Sequence, residues 1–182
     1  MQPIQRRILY AVILIAGAAW IFVNADKAGA STAGRIPAPQ KGFLAPEFSL
    51  TTPGGEKFSL AQLRGKAVLV NLWATWCPPC QAEMPAIQKY YDAYKDQGLV
   101  VLGIDTTAND MPLDVVPFVT KHHLTFPILL DETGEVAAKY NLRSLPSSFF
   151  INRDGTINEV VVGAMSEAQI QTSIEAILKS RY

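Results

Sequence analysis

The chain of 182 residues is 49% apolar and balances 16 basic against 16 acidic side chains, which suits one domain with an appendage and a substantial core. From Gly42 onward it holds 11 Lys and Arg against 15 Asp and Glu, with Arg6-Arg7 the only basic cluster; a nucleic-acid partner, which needs clustered cations, is excluded. The two cysteines stand three positions apart, a spacing that closes almost no loop and so assigns them to chemistry rather than to stapling a scaffold.

Arg6 and Arg7 precede a charge-free apolar run of sixteen residues, Ile8 to Val23. That order is the pattern of an export signal. Its length falls between a cleaved signal and the span of about 20 residues that crosses a bilayer. Ala28-Gly29-Ala30 offers a small-residue cleavage site, but seven residues beyond Val23. The reading adopted is an uncleaved signal-anchor over residues 1–25, with cleavage as the alternative. Either way the basic pair holds the N-terminus inside and the rest lies across the membrane. Residues 26–45, rich in Ala, Gly, Ser and Pro and without period, are expected to be a linker to a head over residues 46–182.

In the head, Glu47 to Leu50 and Lys57 to Leu60 are extended pieces around Thr52-Pro53-Gly54-Gly55, an N-terminal β-hairpin. Ser59 is placed to cap a short helix through Leu63, ended by Gly65. Ala67 to Ala74 is nearly continuously apolar, the mark of a strand buried on both faces. Thr75-Trp76-Cys77-Pro78-Pro79-Cys80 follows at once, then a helix to about Gln97 with Met84, Ile87, Tyr91 and Tyr94 on one face, a kinking Pro85 and a terminating Gly98. Leu99 to Asp105 is a second buried strand, Leu113 to His122 a helix, Thr125 to Leu130 a strand and Glu135 to Tyr140 a short helix. Ser147 to Asn152 and Thr156 to Gly163 form a hairpin around Arg153-Asp154-Gly155. Ser166 caps a last helix with the stripe Ile170, Ile174, Ile177 and Leu178. The fold class expected is α/β, a mixed central sheet flanked by helices with an added N-terminal hairpin.

A thiol at a helix start meets unpaired N–H groups and a partial positive charge, which lower a cysteine pKa to about 3.5–7.5. Cys77, first in the helix, is therefore the candidate exposed nucleophile, and Cys80, one turn inward, the resolving thiol. Zinc needs four ligands, and the other soft candidates, His122 and His123, are adjacent and diverge on a helix. They read as surface residues, and neither metal nor cofactor is expected.

The stretch VNLWATWCPPCQAEMP, with Pro85 five residues after Cys80 and Leu145-Pro146 before a strand, resembles the active-site segment of thioredoxin-fold proteins. It is most similar to the TlpA/ResA/DsbE group of membrane-anchored bacterial thiol–disulfide oxidoreductases, and the resemblance runs from about Pro46 to Lys179. It implies a thioredoxin-like fold in which Pro146 is the cis-proline facing the dithiol and the Leu145 backbone pairs with substrate beside Cys77. Trp76 is expected to cover one side of the dithiol, or else to fill core. Ordinary thioredoxins carry a buried Asp where this chain has Asn71; the related group uses a glutamate at the position of Glu83, which is the candidate to assist the dithiol, the alternative being a solvated first-turn residue.

The same resemblance implies catalysis by Cys77, Cys80 and Glu83, substrate binding by Trp76, Leu145 and Pro146, protein thiols and disulfides as substrates, and a membrane electron-donor thiol protein as partner. The activity expected is reduction of protein disulfides such as those of apocytochrome c, from a single-pass anchor in the inner (cytoplasmic) membrane with the head on the periplasmic side. The rivals are a copper-delivery protein, whose relatives resemble C-x-x-x-C with a distant His, and a thiol peroxidase, whose Pro-x-x-x-Thr-x-x-Cys motif is absent.

Overall fold

The computed structural model describes residues 36–180, so the apolar run 8–23 and the first half of the linker lie outside the described residues. The elements are β1 (Ser49–Thr51), β2 (Lys57–Ser59), β3 (Ala67–Trp73), α1 (Pro78–Tyr94), β4 (Leu99–Asp105), α2 (Pro112–Lys121), β5 (Ile128–Leu130), α3 (Glu135–Lys139), β6 (Ser147–Ile151), β7 (Ile157–Val162) and α4 (Glu167–Lys179). Among the described residues no helix is long and apolar enough to cross a membrane.

The strands form one mixed sheet in the order β2-β1-β5-β4-β3-β6-β7. Strands β3, β4 and β5 are parallel, as crossover helices require, and the two hairpins add antiparallel edges. Every residue of β3 is buried because β3 lies between β4 and β6 with helices over both faces. Its odd positions Ala67, Leu69 and Trp73 pack with α1, α2 and α4; its even positions Val68, Val70 and Leu72 pack with α3 and the N-terminal hairpin. Asn71 falls on the α1 side.

Helix α4, at 13 residues, is too short to be stable alone in water. Ile170, Ile174 and Ile177 are each fully buried against the sheet, worth about 1.5–3 kcal/mol apiece, and the Ser166 hydroxyl accepts from the Gln169 amide. Tertiary packing, not propensity, therefore holds it.

Several local expectations are corrected. Ser59 precedes a 3₁₀ turn, Leu60–Leu63, but its side chain makes no capping bond. The first strand is Ser49–Thr51, and the second helix begins at Pro112, a residue suited to a first turn because its missing N–H would be unpaired anyway. Strand β5 starts only at Ile128, since the Thr125 amide donates to the Gln88 side chain instead of a neighbouring strand. On α1 the buried face is Cys80, Glu83, Met84, Ile87 and Tyr90, with Tyr91 and Tyr94 only half-buried. Residues 36–45, read above as the end of the linker, are tied to the β6–β7 hairpin: the Gly42 amide donates to Ile157 and the Ala45 amide to Gly155. Gly155, with φ of 87°, makes that hairpin's turn.

Candidate active site

Strand β3 ends at Trp73, and four residues later Cys77 is the N-cap of α1, its φ and ψ extended. Pro78 and Pro79 occupy the first two helical positions and have no N–H, so the first free amide of the helix is that of Cys80. It donates to Cys77 Sγ at 3.3 Å. The helix terminus thus directs its amide at one sulfur, the arrangement that stabilises a thiolate there.

The two cysteines form a disulfide, with Cα atoms 5.3 Å apart. Cys77 is 3% exposed and Cys80 fully buried, which corrects the expectation of an exposed nucleophile. Cys77 reaches solvent only through the floor of a groove of about 580 Å³, whose walls include Trp76, Pro78, Asn109, Arg143 and Leu145.

Trp76 is 57% exposed, so it is a wall of the groove and not core; Trp73, fully buried and tilted against Phe118, is core. The Trp76 indole donates to the Asn109 carbonyl at 2.9 Å. The preceding residue is gripped twice: the Asp110 carboxylate accepts from the Thr75 amide at 2.5 Å and its hydroxyl at 2.7 Å, and Gln81 donates to the Thr75 carbonyl at 2.7 Å. Leu145 lines the same groove as Trp76, and buried Pro146 follows it through a cis peptide bond.

Glu83 lies one turn beyond Cys80 on the core side and is 2% exposed; it is not a solvated first-turn residue. Its carboxyl accepts from Asn71 Nδ2 at 2.8 Å and from the Met165 amide at 3.0 Å, and Asn71 also donates to Ser148 at 2.9 Å. Burial raises the Glu83 pKa above the usual carboxylate value, while the Met165 amide and the Asn71 amide pull it down. The residue where ordinary thioredoxins have an acid and the acid on the helix therefore meet in one buried network behind Cys80.

His122 stacks on Phe118 with ring centroids 4.2 Å apart and His123 is exposed, so the structure does not bring either to the cysteines. The supports at Asn109, Asp110, Gln81, Ser148 and Met165 were not visible in the sequence. A hint existed for Asp110, an acid in the loop after a buried parallel strand, where open α/β sheets place functional groups.

The AhpC/TSA family matches over residues 42–160. The thioredoxin-like protein YneN of Bacillus subtilis is 41% identical over 75% of this chain and 79% of that protein, and the thiol-disulfide oxidoreductase ResA of Geobacillus kaustophilus is 37% identical over 75% and 77%. The crystal structure of a thiol:disulfide interchange protein of the thioredoxin family from Chlorobium tepidum superposes with a TM-score of 0.69 at 31% identity, covering 74% of this chain and 95% of that one.

Proposed function

This chain belongs to the AhpC/TSA family as a thioredoxin-fold thiol–disulfide oxidoreductase, and from that premise we propose that it is an extracytoplasmic, membrane-anchored reductant of protein disulfides, such as those of apocytochrome c during cytochrome c maturation. The observation that carries the reading is the Cys77–Cys80 pair at the amide-bearing end of α1, under a groove walled by Trp76 and Leu145.

In the reaction the Cys77 thiolate attacks one sulfur of a substrate disulfide and expels the other as a thiolate. The resulting mixed disulfide joins Cys77 to substrate. Cys80 then loses its proton and attacks Cys77 Sγ; the second substrate thiolate leaves, and the Cys77–Cys80 disulfide forms. The substrate gains two electrons and the dithiol loses them, so a second thiol protein on the membrane must restore it. Glu83, held by the Asn71 amide, assists the deprotonation of Cys80, and Trp76, Leu145 and Pro146 shape the bed in which an extended substrate lies. The anchor proposed is Ile8 to Val23, outside the described residues.

The test is a redox titration of the purified chain against glutathione and dithiothreitol buffers, with an oxidised peptide bearing a Cys-x-x-Cys-His sequence as substrate. A potential below about −200 mV, nearer the roughly −270 mV of thioredoxin than the roughly −120 mV of the oxidant DsbA, together with reduction of the peptide, supports the reading. A potential near the upper figure would make the protein an oxidant.

A further inference from the structure

Asp105, the last residue of β4, is completely buried, and neither of its carboxyl oxygens makes a hydrogen bond among the described residues; the nearby Thr107 hydroxyl donates instead to the Asp105 main-chain carbonyl at 3.2 Å. Its register partner across the sheet is Trp73, four residues before Cys77. A buried carboxylate left without donors is expensive. The same group as a neutral acid has an acceptor, because it faces Asp110, the carboxylate that grips Thr75 through both its amide and its hydroxyl and also takes the Met111 amide at 2.8 Å. We propose that Asp105 is a positioning residue of the dithiol site: it is held as the acid, donates its proton to Asp110, and so locks the loop 106–111 that fixes Thr75 and Trp76 beside Cys77.

The surroundings agree. Asp105 is pushed up to about 8, first by burial, then by the charge of Asp110 and its role as acceptor, with the Thr107 hydroxyl opposing weakly. Asp110 moves the other way: burial would raise it, but Thr75, the Met111 amide and Asp105 together hold it below the usual range. The pair is thus one acid and one carboxylate sharing a proton. Neighbouring elements supply no compensating cation among the described residues. Strand β3 brings Trp73; α2 carries Asp114 in its first turn; and Asp131, after β5, turns its carboxylate to the Val136 and Ala137 amides of α3. When Asp105 loses its proton, its buried charge meets that of the half-buried Asp110, and the loop that holds Trp76 through the Asn109 carbonyl gives way.

The inference rests on the dithiol reading only for its catalytic meaning, and its test does not require turnover. The oxidised full chain, in which no thiol titrates, is followed by tryptophan emission from about pH 5 to 9.5, with Trp76→Phe identifying the part due to Trp76. A single step centred near pH 8 is expected, absent in Asp105→Asn and in Asp110→Asn, which lacks the second charge, while the loss of the Asp105 proton, read in the infrared, should move to lower pH in Asp110→Asn. Infrared difference spectra of wild type against Asp105→Asn read the acid directly: its protonated-carboxyl band should be present at neutral pH and bleach over the same interval. A Trp76 step that persists in Asp105→Asn, or a wild-type protein without step or band, overturns the proposal. If Asp105→Asn does not fold, the infrared shift in Asp110→Asn decides alone, and an unmoved midpoint overturns it.

Discussion

At the scale of single residues, the two cysteines are chemically alike but placed unequally. Cys77 lines the groove and Cys80 is sealed beneath the first turn of α1. Cys80→Ser is therefore expected to accumulate stable mixed disulfides on Cys77, while Cys77→Ser accumulates none; mass spectrometry after incubation with an oxidised substrate checks this, and adducts on Cys80 would reverse the assignment. Glu83 invites a pH experiment. Burial raises its pKa above that of the unfolded chain, so the folded protein binds more protons at intermediate pH. The stability this group contributes is then complete below about pH 4 and is lost as pH rises through the folded value. Glu83→Gln removes that titration but leaves only one oxygen for two donors, the Asn71 and Met165 amides. It should cost about 1–3 kcal/mol for the unpaired buried donor and flatten the fall in stability as pH rises above about 4. Urea unfolding at several pH values measures both, and a slope identical to wild type refutes the account. If Glu83 also assists Cys80, the alkylation rate of the reduced dithiol will change its dependence on pH in the same variant.

Among elements, β4 and α1 show how closely the layers approach. A Cβ on Gly103 would stand 2.8 Å from Ile128 Cδ1, 2.9 Å from Phe126 Cε2 and 3.3 Å from Trp73 Nε1. The strand needs glycine here for space, not for backbone freedom. Gly103→Ala should destabilise by about 1–3 kcal/mol through overpacking, read as a lower urea midpoint with unchanged m; an unchanged midpoint would show that Ile128 and Phe126 yield easily. Helix α1 illustrates the limit of periodicity. Its apolar spacing pointed to Tyr91 and Tyr94, yet Tyr90 is the more buried because α4 packs there, the Tyr90 hydroxyl lying 3.1 Å from Gln171 and that of Tyr94 3.2 Å from Glu175. Arg153 read as part of a turn, and it is; it also donates to the carbonyls of Gly65, Gln97 and Leu178, joining the starts of β3 and β4 to the end of α4.

For the whole molecule, Asp105 adds to the pH dependence in the same direction as Glu83. Its folded pKa, near 8, lies above that of an unfolded Asp, so its contribution is present in acid and disappears between about pH 4 and 8. The protein should therefore unfold at lower urea concentration at pH 8.5 than at pH 5.5, and Asp105→Asn should narrow that difference. The proposed topology has its own test: alkaline phosphatase fused after Tyr182 should be active in a bacterial host, with the protein resisting carbonate extraction. An inactive fusion sinks the orientation, and a soluble product beginning at Ser31 sinks the anchor alone. The sequence by itself determined the α/β class, the buried strand running into Trp76-Cys77-Pro78-Pro79-Cys80, and the closing hairpin and helix, because each is written in neighbouring residues as a period, a turn or a cap. Only the tertiary structure decided what surrounds the sulfurs. Asn71 meets Ser148 across 77 positions, Glu83 meets Met165 across 82, and Asp110 holds Thr75 across 35. Crossovers and helix packing set those meetings, and burial then gives the same carboxyl groups a chemistry that their local sequence does not contain.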